Sequence, residues 1–170
     1  MLHVYTGDGK GKTTAALGLS ARALGAGLSV AFFQFFKGGV KSSEEKYFEN
    51  EKNMLFLRFN QVSPFFDKNA DEKKLAKRVK TDYKRAKNAI YSGKFSVVVL
   101  DEITYALKYG AIDEKTFLKD MAGAGASVTV VITGRDAPAA LIKRADLVTE
   151  MKEIKHPFLK KAAAVKGVEF

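Results

Sequence analysis

The sequence predicts an open, mostly parallel α/β sheet with helices on both faces, and three observations carry that prediction. Short apolar or β-branched runs alternate with segments of helical periodicity along the whole chain. Two of those runs, Ser96 to Leu100 and Ser127 to Thr133, lack polar alternation, which suits central strands buried on both faces of a parallel sheet. A glycine-rich turn separates the first strand from the first helix, at the carboxyl end of a strand, where such sheets place their ligands. The 170 residues fit one domain. A hydrophobic share of 46% against 28% charged residues excludes disordered and fibrous classes.

Taken in order, Leu2 to Thr6 is the first strand, and Lys12 to Leu24 carries Ala16, Leu19, Ala23 and Leu24 at helical spacing. Ser29 to Phe36 and Met54 to Phe59 read as further strands. The longest helical pattern is Asp71 to Tyr91. At about 100° per residue, Lys73, Lys77, Lys80, Lys84 and Lys87 gather within roughly 80°, and Leu75, Val79, Tyr83, Ala86 and Ile90 lie opposite. The lysine ridge reads as a solvated face, because no aromatic residue interrupts it to stack a base. After Ser96 to Leu100 come helical patterns over Ile103 to Tyr109 and Asp113 to Ala122. The Ser127 to Thr133 strand, a helix over Ala137 to Ala145 behind Pro138, and an edge strand over Leu147 to Met151 complete the alternation. Residues from about 152 to 170 form a short basic tail.

Composition narrows the chemistry. With no cysteine, disulfide scaffolds, thiolate zinc sites, iron-sulfur clusters and cysteine nucleophiles are excluded, and only His3 and His156 offer an imidazole. Apolar runs such as Val30 to Phe33 are far shorter than the ~20 residues that span a bilayer, so a cytoplasmic protein is expected. The net charge of +10 favours anionic partners: nucleic acid, acidic membrane or a polyphosphate-bearing small molecule.

The segment Thr6-Gly7-Asp8-Gly9-Lys10-Gly11-Lys12-Thr13-Thr14 lies between strand and helix, as a phosphate-cradling P-loop requires. Glycines let several backbone N–H groups turn toward one anion, and the helix N-terminus adds partial positive charge. Lys12 reaches between phosphates, and Thr13 offers its hydroxyl to Mg²⁺. Thr6 stands where the general pattern has glycine. All nine residues are candidate nucleotide-binding positions, and the motif specifies the fold as a P-loop NTPase (RecA-like) architecture. Val97 to Leu100 deliver two carboxylates, Asp101 and Glu102, to a strand end, which makes them candidate metal ligands with Thr13. Thr133-Gly134-Arg135 brings a guanidinium to the same rim, able to clamp phosphate or neutralise a leaving group. Lys12 and Arg135 are therefore the candidate catalytic residues.

Nearly the whole chain resembles the P-loop type of ATP:corrinoid adenosyltransferases. The similar segments, in the family's order, are Tyr5 to Ala16 (with Asp8 where asparagine is usual), Gln34 to Gly38, Leu100 to Ile103, Thr133 to Arg135, and Ala145 to Met151 with Lys155 to Phe158. The resemblance implies transfer of the 5'-deoxyadenosyl group of ATP to the Co(I) centre of a reduced corrinoid, with triphosphate leaving, in adenosylcobalamin biosynthesis or salvage. It implies a nucleotide lying reversed in the loop compared with ordinary NTPases. Gly7 to Gly11 and Lys12 would hold triphosphate, Thr13 and Glu102 would bind Mg²⁺, and Arg135 would help with phosphate charge. Phe65 and Phe66, beside Pro64, are the candidates for apolar packing against the corrinoid where its lower axial ligand would bind. The family's tryptophan-containing aromatic motif is not recognisable in Phe59 to Asp67. His156 reads as a residue shaping the tail turn rather than a cobalt ligand. Three further departures are a sequence that opens on the first strand, so that the N-terminal segment capping the site in longer relatives is expected to be absent or replaced, the Lys41 to Glu45 loop, and the lysine-rich Leu159 to Lys166.

The resemblance also suggests a homodimer, and a flavoprotein reductant is a further candidate partner; from the short apolar runs and the uninterrupted lysine ridge, neither membrane nor nucleic acid is expected as a partner. Two other readings share the same residues: a RecA-like P-loop ATPase stimulated by nucleic acid, and a nucleotide-binding subunit without turnover.

Overall fold

The computed structural model describes residues 1–38, 42–61, 71–156, 165 and 167–168. Its elements are β1 (Leu2–Thr6), α1 (Lys12–Gly25), β2 (Val30–Gln34), α2 (Ser43–Phe48), β3 (Met54–Arg58), α3 (Glu72–Tyr91), β4 (Val97–Asp101), α4 (Thr104–Lys108), α5 (Glu114–Ala122), β5 (Thr129–Thr133), α6 (Ala139–Arg144) and β6 (Leu147–Glu150). The six strands form one sheet in the order β3-β2-β4-β5-β1-β6, and every pairing is parallel.

Side chains alternate across the pleat, so each strand feeds two cores. On one face Val30, Phe32, Val97, Val99 and Val131 pack against Ala16 and Ala23 of α1. Phe48 of α2 stacks on Phe56 of β3 on that side, 6.2 Å between ring centroids. On the other face Ala31, Phe33, Val98, Leu100, Val130 and Ile132 meet Val79, Tyr83 and Ala86 of α3, Phe117 of α5 and Leu141 of α6. Burying a phenylalanine side chain contributes roughly 1.5–3 kcal/mol, so the fully buried Phe32 and Phe33 make β2 an anchor of both layers.

Helix starts follow local chemistry. Asp71 and Asp113 accept the backbone N–H groups of Lys74 (3.1 Å) and Thr116 (2.8 Å), which sets the first turns of α3 and α5. In α3 the apolar seam faces the sheet, and Lys73, Lys77, Lys80 and Lys84 are exposed. Lys87 departs from the ridge: its ammonium lies 2.6 Å from the buried Asp120 carboxylate, which also accepts the Tyr83 hydroxyl at 2.9 Å. Helix α2 is an element that hydrophobic periodicity did not reveal, because it spans only six residues.

Strands β2, β4 and β5 end in sharp turns. Phe36, Glu102 and Asp136, just beyond them, adopt left-handed backbone with φ of 55°, 64° and 51°. Such conformations are costly for residues with a Cβ and gather where function requires a particular side-chain aim. All three lie on the carboxyl rim of the sheet. Gly134, at φ 140° in the same turn as Asp136, has no room for a side chain: a Cβ would lie 1.9 Å from Thr104 Oγ1. Gly134→Ala is expected to destabilise the fold by at least about 2 kcal/mol, a Tm decrease of about 4–8 °C. Thermal denaturation followed by circular dichroism measures it.

Candidate active site

The carboxyl ends of β2, β4, β5 and β1, consecutive in the sheet, share the rim from which the glycine-rich loop leaves β1. Gly11 precedes α1 without any side-chain cap, and the helix has no acidic residue in its first turn. The positive end of a 14-residue helix is therefore left toward the loop, an arrangement that suits an anion. Lys12, the first helical residue, is buried, and its Nζ donates to the carbonyls of Gly7 (2.5 Å) and Gly9 (2.7 Å). Burial lowers its pKa. Glu102 raises it, Arg135 lowers it, and Asp8 and Asp101 raise it, so these four charges share one neighbourhood with the ammonium.

Thr6 has a structural reason to replace the usual glycine. Its buried Oγ1 accepts the backbone N–H of Ala137 at 3.2 Å, which ties the loop to the segment after β5. The glycines serve a second purpose as well. The chain leaving β6 lies against the loop: Met151 N donates to Thr6 O at 2.8 Å, and Gly9 N donates to Met151 O at 2.7 Å. A Cβ on Gly7, at φ 96°, would lie 2.4 Å from Met151 O, and one on Gly9 would lie 2.8 Å from the Lys152 carbonyl. The Gly9 amide thus points at Met151 rather than toward a shared anion. Asp8, Lys10 and Thr14 are exposed, and Lys10 Nζ donates to Val168 O at 2.8 Å.

Asp101 organises the opposite wall. Fully buried, its Oδ1 accepts the hydroxyls of Thr13 (2.9 Å) and Thr133 (2.6 Å), and its Oδ2 faces Gln34 Nε2 at 3.4 Å. Thr133 Oγ1 in turn accepts Glu102 N at 2.9 Å. Of the two carboxylates, Asp101 is turned inward to hold Thr13, and Glu102 is carried past the strand end by its left-handed turn. Burial raises the Asp101 pKa, opposed first by the charge of Lys37. Glu102 is raised by burial and then by the negative charge of Asp101, opposed by Lys37, Lys12 and Arg135.

Lys37 is thus a cation of the site for which motif reading supplied no role. Its loop is held by Arg58 at the end of β3, whose Nε donates to Lys37 O and whose second guanidinium nitrogen donates to Gly38 O at 3.2 Å. Arg135 presents an exposed side chain, while its carbonyl is fixed by Thr104 Oγ1 at 2.7 Å. Phe65, Phe66 and Pro64 lie outside the described residues, as do Pro157 and Phe158.

The donor set fits Mg²⁺. Because the Thr13 proton is given to Asp101, its lone pairs remain as acceptors for a cation. A hydroxyl, one carboxylate and substrate phosphates are the hard oxygen ligands this ion takes, without an all-protein cage. Among the described residues no three acidic, histidine or cysteine side chains gather into such a cage.

A glycine-rich loop with Lys12-Thr13 after β1, facing an aspartate at the end of β4 with β5 inserted between them, defines a P-loop nucleotide-binding protein of RecA-like architecture. The flagellar accessory protein FlaH of Methanocaldococcus jannaschii shares this fold at a TM-score of 0.56 and 12% identity, over 88% of this chain and 69% of that one. The chain belongs to the family described as ATP:corrinoid adenosyltransferase BtuR/CobO/CobP, whose model matches residues 1–170. It is 36% identical over 170 residues to the corrinoid adenosyltransferase of Pseudomonas aeruginosa, covering 100% of this chain and 83% of that protein. A corrinoid adenosyltransferase of Sinorhizobium is also 36% identical, over 100% of this chain and 80% of its own. Corrinoid adenosyltransferase CobA of Salmonella typhimurium is 30% identical over 98% and 84%. No helix among the described residues is long and apolar enough to cross a membrane.

Proposed function

We propose that this protein transfers the 5'-deoxyadenosyl group of ATP to the Co(I) centre of a reduced corrinoid and releases triphosphate. The observation that carries the reading is the buried Lys12 ammonium, set in a P-loop at an uncapped helix N-terminus, in a chain that belongs to this family along its full length. In the reaction a bond forms from the cobalt electron pair to C5', the C5'–O bond breaks, and its electron pair leaves on triphosphate. Cobalt is itself the nucleophile and the leaving group needs no proton, so a cysteine, a triad or a general base is not required. The protein's work is to align C5' with cobalt and to stabilise charge on the departing chain.

Lys12 exchanges its bonds to the Gly7 and Gly9 carbonyls for phosphate oxygens, and Lys37 and Arg135 add positive charge along the rim. Asp101 fixes the Thr13 hydroxyl, and Glu102, in the same neighbourhood as Lys12 and Asp101, would be a second oxygen donor. Thr13 and Glu102 would hold Mg²⁺ together with the nucleotide, and the ion would supply neutralisation of part of the phosphate charge. In this reading residues 1–170 act as one nucleotide-binding domain of a cytoplasmic homodimer, with electrons supplied by a flavoprotein.

The test is anaerobic incubation of purified protein with ATP, Mg²⁺ and chemically reduced cobalamin, followed by absorbance. A light-sensitive carbon-cobalt product supports the proposal. Hydrolysis stimulated by DNA or RNA without that product would replace it with the ATPase reading, and ATP binding without turnover would replace it with a binding subunit.

A further inference from the structure

We propose that Gln34 and Glu44 are positioning residues for the Thr13 hydroxyl, acting through Asp101. The inference rests on the reading of Thr13 as a ligand of the nucleotide's metal ion. Gln34 ends β2, is fully buried, and stands directly opposite Asp101 in the β2–β4 ladder. Its single amide group faces two carboxylates, Glu44 Oε1 at 3.2 Å and Asp101 Oδ2 at 3.4 Å. Each of its two N–H bonds therefore has an anionic acceptor, while Gln34 Oε1 is buried without a hydrogen-bond partner.

A buried acceptor left unsatisfied is costly, and the terminal torsion of a glutamine is soft, so the amide has reason to turn over. Turning it would aim Oε1 at both carboxylates at once and remove both charge-assisted bonds. With Glu44 in place that alternative is closed. Without Glu44 only Asp101 opposes it, and the amide can turn away, leaving Oδ2 without this donor. The Asp101 carboxylate would then lose the contact that holds its plane. Its other oxygen is the one that receives the Thr13 and Thr133 hydroxyls, so the aim of the Thr13 lone pairs depends on that plane. Lys37, Lys12 and Glu102, the charged groups that share this neighbourhood with Asp101, act through charge without fixing an angle. Glu44 lies in the first turn of α2, and the seating of that helix is thereby linked to the metal-binding hydroxyl.

The experiment is calorimetric titration of ATP into the intact protein over a range of Mg²⁺ concentrations, without corrinoid, for wild type, Glu44→Gln, Gln34→Leu and the double variant. Partners that orient a metal ligand typically alter metal affinity by 10- to 100-fold, so each single variant is expected to need about tenfold more Mg²⁺ for half-maximal ATP binding. Metal-free ATP binding should change by no more than about twofold, and the double variant should match Gln34→Leu, because both residues act along one chain. An unchanged Mg²⁺ requirement in a folded single variant, additive effects in the double variant, or a parallel loss of metal-free binding would overturn the proposal. If Gln34→Leu does not fold, Glu44→Gln at its half-buried helical position carries the test alone. Failure of the underlying reading of Thr13 as a metal ligand looks different: wild type itself would show no Mg²⁺-dependent ATP binding, whereas failure of the adenosyltransferase reading would show Mg²⁺-dependent ATP binding without a carbon-cobalt product.

Discussion

Lys12→Ala is expected to lower kcat/KM for ATP by about 10³-fold, the upper end of what removing one pre-placed charge-stabilising donor costs. The ammonium is already desolvated and already held at the centre of the loop by two carbonyls, so little reorganisation is needed when charge develops on the leaving oxygen. Those partners are carbonyls of the loop itself, and their release leaves both cores intact, so the variant should fold. Initial rates at saturating reduced cobalamin measure the loss, with near-ultraviolet circular dichroism as the control. A second signature is pH. Burial lowers the Lys12 pKa, so the ammonium is lost at a lower pH than that of an ordinary lysine. ATP affinity of the wild type should therefore decline on the alkaline side earlier than an ordinary lysine would give, and the variant should lack that decline. A folded variant within about fivefold of wild-type turnover would remove Lys12 from the role assigned to it.

Glu102→Gln is expected to act in opposite directions on activity and on stability. Loss of this proposed metal-ligating carboxylate, which neighbours Asp101 and Lys12, should raise the Mg²⁺ requirement and lower turnover by about 10- to 100-fold. The ligand-free protein should meanwhile become more stable at neutral pH. In the folded state burial and the Asp101 charge raise the Glu102 pKa above its ordinary 4.5. A carboxyl with a raised folded pKa costs stability when ionised. The cost is full above the folded pKa and disappears as pH falls to the ordinary value. The stability difference between variant and wild type should accordingly be present at neutral pH and close as pH approaches 4.5. Urea denaturation at the two pH values checks the sign. A variant less stable than wild type at neutral pH, or an unchanged metal titration, would contradict the placement of Glu102.

Much of the fold was legible because its signals are strong and local. The unalternating Val97–Asp101 and Thr129–Thr133 segments became neighbouring central strands, and Lys12–Gly25 began directly after the glycine-rich turn. Helix α2 escaped because six residues hold too little periodicity to register. Its one readable mark was Ser42, whose side chain accepts Glu45 N at 3.3 Å, three residues before the acidic position of a capping box.

At the site, residue type and spacing bring Lys12, Thr13, Asp101, Glu102 and Arg135 to one rim on paper; in the structure the four charged residues influence one another electrostatically and Thr13 donates to Asp101. What spacing cannot show is direction. Asp101 and Glu102 are adjacent in sequence, yet Asp101 is fully buried against Thr13 and Thr133 at the end of β4, and Glu102 follows it in a left-handed turn at φ 64°. Long-range partners were equally hidden. The Thr6 hydroxyl meets Ala137, the loop glycines admit the chain after β6, and Arg58 holds the Lys37 loop, through contacts that only the sheet order creates. Sequence alone explains the glycines as permitting amides to face an anion. Gly7 and Gly9 are also required by the close approach of Met151 and Lys152, a constraint with no local trace.

The most direct test of the central claim, that the loop grips the phosphate chain as a single leaving group while carbon is transferred to cobalt, is phosphorus NMR of the products formed from ATP and reduced cobalamin in the absence of light and oxygen. Inorganic triphosphate in equal amount to adenosylated corrinoid is the predicted result. ADP and orthophosphate, with the corrinoid unchanged, would contradict it.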